Sequence, residues 1–283
     1  MYPVIFRIGT FELRTYGVAM ALAFLINIWL GSRRAKKEGI DPDLILGVAF
    51  WLIVATVIGG RLAFVLTTWK ENFADNPLEA LALWHGGMVF YGGFLGSAIA
   101  AVLYISVYRK KWGLPVYDIL APYVGLGYAI HRTFGCFLNG CCYGAPTNLP
   151  WGVLFPPNHP AHQLYGAQAH LHPTQLYMAI NGLIIFFFLV FWRDNFRKRY
   201  GELFGLLFMI YSFNRFIIEF VRGDPIRGEI GPLSTSQFLG IFVFILGLVL
   251  FLFARKKGLV VGGETKYLSN VRSPFLKEKF EKK

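Results

Sequence analysis

The stretch YSFNRFIIEFVRGD sets Arg215, Glu219 and Arg222 at spacings of four and three inside a mostly apolar run. On a helix, those spacings place all three on one face. A carboxylate one turn from an arginine can orient the guanidinium fork so that its parallel donors grip an anion such as a phosphodiester. The same pair could instead serve only to neutralise charge so that the helix can enter a membrane. Arg222, at the edge of the run, reads as an interface anchor.

A second constellation is HRTFGCFLNGCCYG, His131 to Gly144, which holds all 3 cysteines of the chain as Cys136, Cys141 and Cys142. A Cys-x4-Cys-Cys run invites metal or redox chemistry, but no paired CxxC occurs. A vicinal Cys141–Cys142 bridge would be strained, so three small buried thiols are expected. His159, His162, His170 and His172 are irregularly spaced and lack carboxylate neighbours, which argues against zinc. Two further features are Arg61, preceded by Gly59-Gly60, and Tyr91, bracketed by Gly86-Gly87 and Gly92-Gly93. Such glycines either let helices approach closely or let backbone approach a ligand. For Arg61, snorkelling, a structural ion pair and a functional role all remain open.

These residues must be positioned within a membrane. Of 283 residues, 55% are hydrophobic and only 16% charged, against about 25% charged in a soluble domain. Mean hydropathy is +0.49, and several apolar runs reach the ~20 residues needed to cross a hydrocarbon core. Disordered, disulfide-scaffold and ordinary soluble-enzyme classes are excluded. Seven apolar segments run approximately Thr15–Leu30, Leu44–Thr68, Met88–Tyr108, Val116–Leu138, Thr174–Trp192, Leu203–Val221 and Ser236–Phe253. Met1–Arg14 lacks the order of a cleaved signal peptide and is expected to lie, ordered, on the membrane face. The expected architecture is an all-α polytopic bundle of seven transmembrane helices over residues 1–254, followed by a basic tail over 255–283.

The net charge of +12 would suggest nucleic acid in a soluble protein. Its distribution says otherwise. Of the 28 Lys and Arg, 20 follow segments one, three, five and seven. The positive-inside rule then places the N-terminus outside and the C-terminus in the cytoplasm, with the tail against anionic headgroups. In that orientation Arg61, Arg132 and Arg215 fall in the outer half of their segments. So do Thr15, Tyr16, Tyr91, Thr174, Gln175, Ser234, Ser236 and Gln237, while the inner halves read as almost wholly aliphatic and Phe. One polar chamber open to the outer leaflet is the simplest account.

In their order and spacing, PVIFRIG, TYG, GGRLAFV, GGMVFYGGFLG, GCFLNGCCYG, HPTQLY, YSFNRFIIEFVRGD and LSTSQ resemble the bacterial phosphatidylglycerol:prolipoprotein diacylglyceryl transferases from about Pro3 to Phe253. The resemblance implies an enzyme of the bacterial inner membrane. It would move diacylglyceryl from phosphatidylglycerol to the lipobox cysteine thiol in a prolipoprotein signal peptide, forming a thioether and releasing glycerol phosphate. It implies no cofactor and no metal, with membrane lipids and the precursor as partners and nucleic acid as none. By position it carries over Arg215, with Glu219 beside it, and Tyr16, Asn139 and Gly144. Around these, Arg132, Arg61, Gly92 and Gly93 are the further substrate-binding candidates.

Two departures stand out. Relatives often carry His where Tyr91 stands, and a phenol of pKa about 10 is a poorer base than imidazole at about 6.5. Tyr91 then acts as a hydrogen-bond donor, or proton acceptance passes to another group such as His85. In HRTFGCF, Arg132 stands one residue earlier than in many relatives. A local helix bulge would return it to the site, as such bulges do at functional sites. The competing classes are a small-anion carrier lined by Arg61, Arg132 and Arg215, and a non-catalytic relative that binds lipid headgroups. A carrier requires polar residues through both halves of the bundle, which the inner halves lack.

Overall fold

The computed structural model describes residues 1–9, 11–74, 76–82, 87–104, 113–224, 228–258 and 260–261. The chain divides into one unit of Met1–Gly31 with Tyr117–Lys283 and another of Ser32–Val116.

The first unit opens with an antiparallel hairpin, β1 (Val4–Ile8) and β2 (Phe11–Arg14), turning at Gly9 with φ +58°. Its base is tied at two points. The Tyr2 amide donates to the Leu138 carbonyl at 2.8 Å, and the Thr15 hydroxyl donates to the Tyr2 carbonyl at 2.9 Å. The start of α1 (Thr15–Lys37) is thereby fixed near the end of the helical run through Phe137. That run comprises α4 (Gly113–Ile130), with Pro122 inside it, and a π-helical turn, His131–Phe137. After a loop carrying the short α5 (Pro160–Tyr165) come α6 (Thr174–Asn195) and α7 (Glu202–Glu219). A small hairpin, β3 (Glu229–Ile230) and β4 (Leu233–Ser234), leads into α8 (Thr235–Lys257). The two hairpins depart from the all-α expectation; the other named elements are helical. Ser234 and Gln237 form a reciprocal capping box at the head of α8, so their polarity is spent on backbone amides.

Lipid is as apolar as leucine, so membrane helices associate through close packing rather than hydrophobic burial. Glycines set two close crossings in this unit. A Cβ on Gly182 would lie 2.6 Å from the Gly125 carbonyl oxygen, and one on Gly205 would lie 2.8 Å from that of Gly247, so α4 meets α6 and α7 meets α8 backbone to backbone. Ala121, Ile185, Leu189, Leu203, Leu206 and Leu207 fill the core between these helices.

The expectation that the inner halves are almost wholly aliphatic and Phe is corrected at one point. Asp118 on α4 is buried, accepts from the Phe204 amide at 3.0 Å, and lies 3.7 Å from Arg197. Buried Glu202 accepts from Trp192 Nε1 at 3.2 Å and from the Arg199 amide at 3.1 Å. These groups meet where α4 and α7 begin and α6 ends. Spaced far apart in the chain, they read as isolated charges until the helices converge.

In the second unit, Asp41 caps α2 (Pro42–Thr67) by accepting from the Asp43 amide at 2.9 Å, with Pro42 in the first turn. A π-helical turn (Trp69–Phe73) and a 3₁₀ turn (Pro77–Leu81) lead towards α3 (Phe90–Val102). Gly59 and Gly92 face each other so closely that a Cβ on either would collide with the other's backbone, and a Cβ on Gly93 would sit 3.0 Å from the Thr56 carbonyl.

The seven apolar segments fall on α1, α2, α3, α4 with its π-turn, α6, α7 and α8. Among the described residues, four of these helices (α1, α2, α6 and α8) are long and apolar enough to cross a membrane.

Candidate active site

The π-turn is the first positioning device. Its i to i+5 repeat brings His131 and Cys136 to one side, with Nε2 3.7 Å from Sγ. Arg132 reaches back within the same turn. Its Nη1 lies 3.6 Å from Cys136 Sγ and 3.5 Å from Cys142 Sγ, and its guanidinium carbon sits 4.9 Å from the Tyr128 ring centroid. The bulge expected at this point is therefore present. Tyr128 is edge-on to Tyr211 at 5.5 Å and within electrostatic reach of both Arg132 and Arg215. Tyr16, on the first turn of α1, sets its ring edge-on to His131 at 4.6 Å.

The second device is a chain reversal. Gly140 (φ +83°) and Cys142 (φ +62°) both adopt left-handed backbone, returning Cys141 and Cys142 to Cys136. Left-handed backbone costs about 1–2 kcal/mol for a residue with a Cβ, so Cys142 needs outside support. Buried α6 side chains supply it. Gln175 Nε2 donates to the Cys141 carbonyl at 2.7 Å, and the Thr174 hydroxyl donates to that of Cys142 at 2.5 Å. Asn139 lies close to the Cys141 side chain. Gly144 continues the strap, its amide donating to the His172 carbonyl at 2.9 Å and its backbone bridging Arg222. A Cβ on Gly144 would sit 2.6 Å from the His172 carbonyl oxygen, so only glycine fits this crossing.

The third element is the end of α7. Arg215 is 9% exposed and Glu219 3%; they are hydrogen-bonded, and Arg215 Nη2 also donates to Ser236 Oγ at 3.2 Å. Arg222 Nη1 lies 3.8 Å from the same Glu219, and its fork grips Asp224 at 2.8 and 2.5 Å. Arg222 is also within electrostatic reach of Cys142. Arg215 and Arg222 thus share two carboxylates, Glu219 and Asp224, while Arg132 lies against thiols and a ring, so three guanidinium groups stand against two carboxylates at this end of the unit. Arrays of this kind bind anions and steady charge that develops on an oxyanion.

Tyr16, Arg132, Asn139, Gly144, Arg215 and Glu219 come together in the first unit. Arg61, Gly92 and Gly93 belong to the second. There Arg61 is 6% exposed and donates to the carbonyls of Glu79, Ala80, Ala82 and Gly87 at 2.6, 3.0, 3.0 and 3.3 Å, tying down the approach to α3. Gly92 and Gly93 pack against α2. Tyr91 lies on the first turn of α3, with its side chain outside the described residues; His85 lies wholly outside them. The sequence put Arg222 on the face of Glu219 but read it as an interface anchor; in the structure it also pairs with that carboxylate. It named Ser236 only as a polar residue and Tyr128 not at all, because each reaches Arg215 only through helix packing.

Helices long and apolar enough to cross a bilayer, joined to a buried, arginine-rich pole, define an integral membrane protein built to handle an anionic group. The chain matches the prolipoprotein diacylglyceryl transferase family over residues 3–253 and belongs to it. It is 40% identical over 252 residues to the phosphatidylglycerol–prolipoprotein diacylglyceryl transferase of Clostridium tetani, covering 89% of this chain and 97% of that one. The same-named protein of Thermotoga maritima is 36% identical over 253 residues (89% and 84%). That of Geobacter sulfurreducens is 35% identical over 253 residues (88% and 93%).

Proposed function

We propose that this protein transfers the diacylglyceryl group of phosphatidylglycerol to the lipobox cysteine of a prolipoprotein, the first step of lipoprotein maturation. The observation that carries the reading is the buried Arg215–Glu219–Arg222 cluster in a member of this transferase family; Arg132, stacked by the π-turn on Tyr128, a ring within electrostatic reach of Arg215, supports it. In the reaction, the precursor's sulfur forms a bond to the glyceryl carbon as that carbon's bond to the phosphate oxygen breaks. The electron pair leaves with glycerol phosphate, and the thiol proton goes to a base. Arg215 and Arg132 hold the phosphate and stabilise its growing charge; Glu219 fixes the Arg215 fork. The same positive field favours the thiolate, which is the nucleophile. Tyr16, Asn139 and Gly144 shape the surrounding wall. Tyr91 donates a hydrogen bond or hands proton acceptance to His85. Arg61, Gly92 and Gly93 contribute by fixing the chain on either side of Tyr91. No step requires a metal or cofactor.

The same reading has residues 1–254 cross the inner membrane seven times, N-terminus outside, with the site facing the outer leaflet and the basic tail (255–283) in the cytoplasm. The test is purified full-length protein with phosphatidylglycerol vesicles and a lipobox peptide. The expected result is a diacylglyceryl mass gain on the peptide and glycerol phosphate released in equal amount. Folded protein that binds the lipid yet leaves the peptide thiol unmodified would overturn the reading.

A further inference from the structure

The three thiols lie in the same unit as the arginine cluster, yet the reaction above assigns them nothing. Their Sγ atoms all lie within 4.8 Å of one another. His131 Nε2 stands 3.7 Å from Cys136 Sγ. Tetrahedral coordination with Zn–S of about 2.3 Å and Zn–N of about 2.0 Å requires S···S of roughly 3.8 Å and S···N of roughly 3.6 Å. The three sulfurs form the core of the set and need close by only about an ångström; His131 Nε2 is at the required separation from Cys136 Sγ and must swing towards the other two to complete a tetrahedron.

The scaffold around them is built rather than incidental. The π-turn aligns His131 with Cys136 through its i to i+5 repeat. The left-handed backbone of Gly140 and Cys142 turns the other two sulfurs back towards the first, and Thr174 and Gln175 hold the carbonyls of that reversal. Charge fits as well. A divalent ion with three thiolates and a neutral imidazole carries one negative charge. Arg132 Nη1, at 3.6 and 3.5 Å from two of the sulfurs, supplies the compensating positive charge and N–H donors to the ligands.

We propose that Cys136, Cys141, Cys142 and His131 form a binding site for a thiophilic divalent cation of filled d shell, zinc or cadmium, with Arg132 as its outer-shell counter-charge. The site shares Arg132 with the transfer reaction proposed above, but metal binding is read directly and so survives or fails separately from it.

The test uses full-length protein in detergent, reduced with a phosphine and stripped with chelator, then titrated with cadmium. The expected result is one ion per chain, an ultraviolet thiolate-to-cadmium charge-transfer band, and the same band when cadmium displaces prebound zinc. Cys136→Ser, Cys142→Ser and His131→Ala should each weaken binding by about tenfold or more, at least the scale of losing an outer-shell partner. Wild-type protein with its thiols reversibly blocked should lose the band and regain it on reduction, which tests the site without relying on a variant's folding. Absence of a band in reduced wild type, or equal binding after blocking, would overturn the proposal.

Discussion

Two ionic clusters occupy opposite ends of the same helices in the first unit, and they are assembled on different principles. At one end Asp118 and Glu202 are enclosed by the Phe204, Lys198 and Arg199 amides, the Trp192 indole and Arg197. Their capacity is spent inside the protein, and they staple the ends of α4, α6 and α7. At the other end, Arg215 and Arg222 share Glu219, while Arg132 faces an aromatic ring and thiols rather than a carboxylate. Burial of charge alone therefore does not mark a site. An excess of one sign, held in place by partners that cannot neutralise it, does.

The contrast can be broken from either end. Asp118→Ala should destabilise the protein most, by about 3–5 kcal/mol, because a buried cation loses its partner. Specific activity per folded molecule should stay within about twofold, read from thermal unfolding in detergent beside the peptide assay. Arg215→Lys should do the reverse, lowering turnover by about 10²–10³-fold, the cost of losing a charge-stabilising donor, with unfolding little changed. Near-wild-type turnover in Arg215→Lys would remove Arg215 from the reaction. Ser236→Ala removes one hydrogen bond from the Arg215 fork and should cost about 1 kcal/mol, roughly fivefold in turnover.

The smallest effect belongs to the loop beside the thiol reversal. Burial holds His159 below its usual 6.5, opposed by a hydrogen bond to Gly140, while its Nδ1 accepts from the Ala161 amide at 3.1 Å as the cap of α5. With the folded pKa depressed, the unfolded state binds more protons, so this contribution is complete above 6.5 and falls as pH drops from there towards the folded value. Hydrogen exchange across 159–166 should quicken on that acidification; exchange insensitive to pH after intrinsic-rate correction would sink the assignment.

Much of the site was legible because its spacings are local. Arg215 and Glu219 announce themselves one turn apart, and the misplaced Arg132 pointed to the bulge that the π-turn supplies. The readings that changed involve distant partners. Arg61 is engaged by backbone carbonyls 18 to 26 residues away. The apolar-looking inner half hid Asp118, 86 residues from the amide it accepts from. The glycines at 92 and 93 are packing surfaces because α2 lies against them.

The sequence by itself determined that this is a membrane protein with helices over its apolar runs, and which local pairs could hold a phosphate. Hydropathy and helical periodicity act within a few turns, so neighbours in the chain suffice to express them. Only the tertiary structure decided which charges are spent and which remain available, because that depends on whose donors surround each group once helices far apart in sequence close at their glycines. It also decided that three cysteines and a histidine converge, since two residues of left-handed backbone, held by α6, turn the chain back on itself.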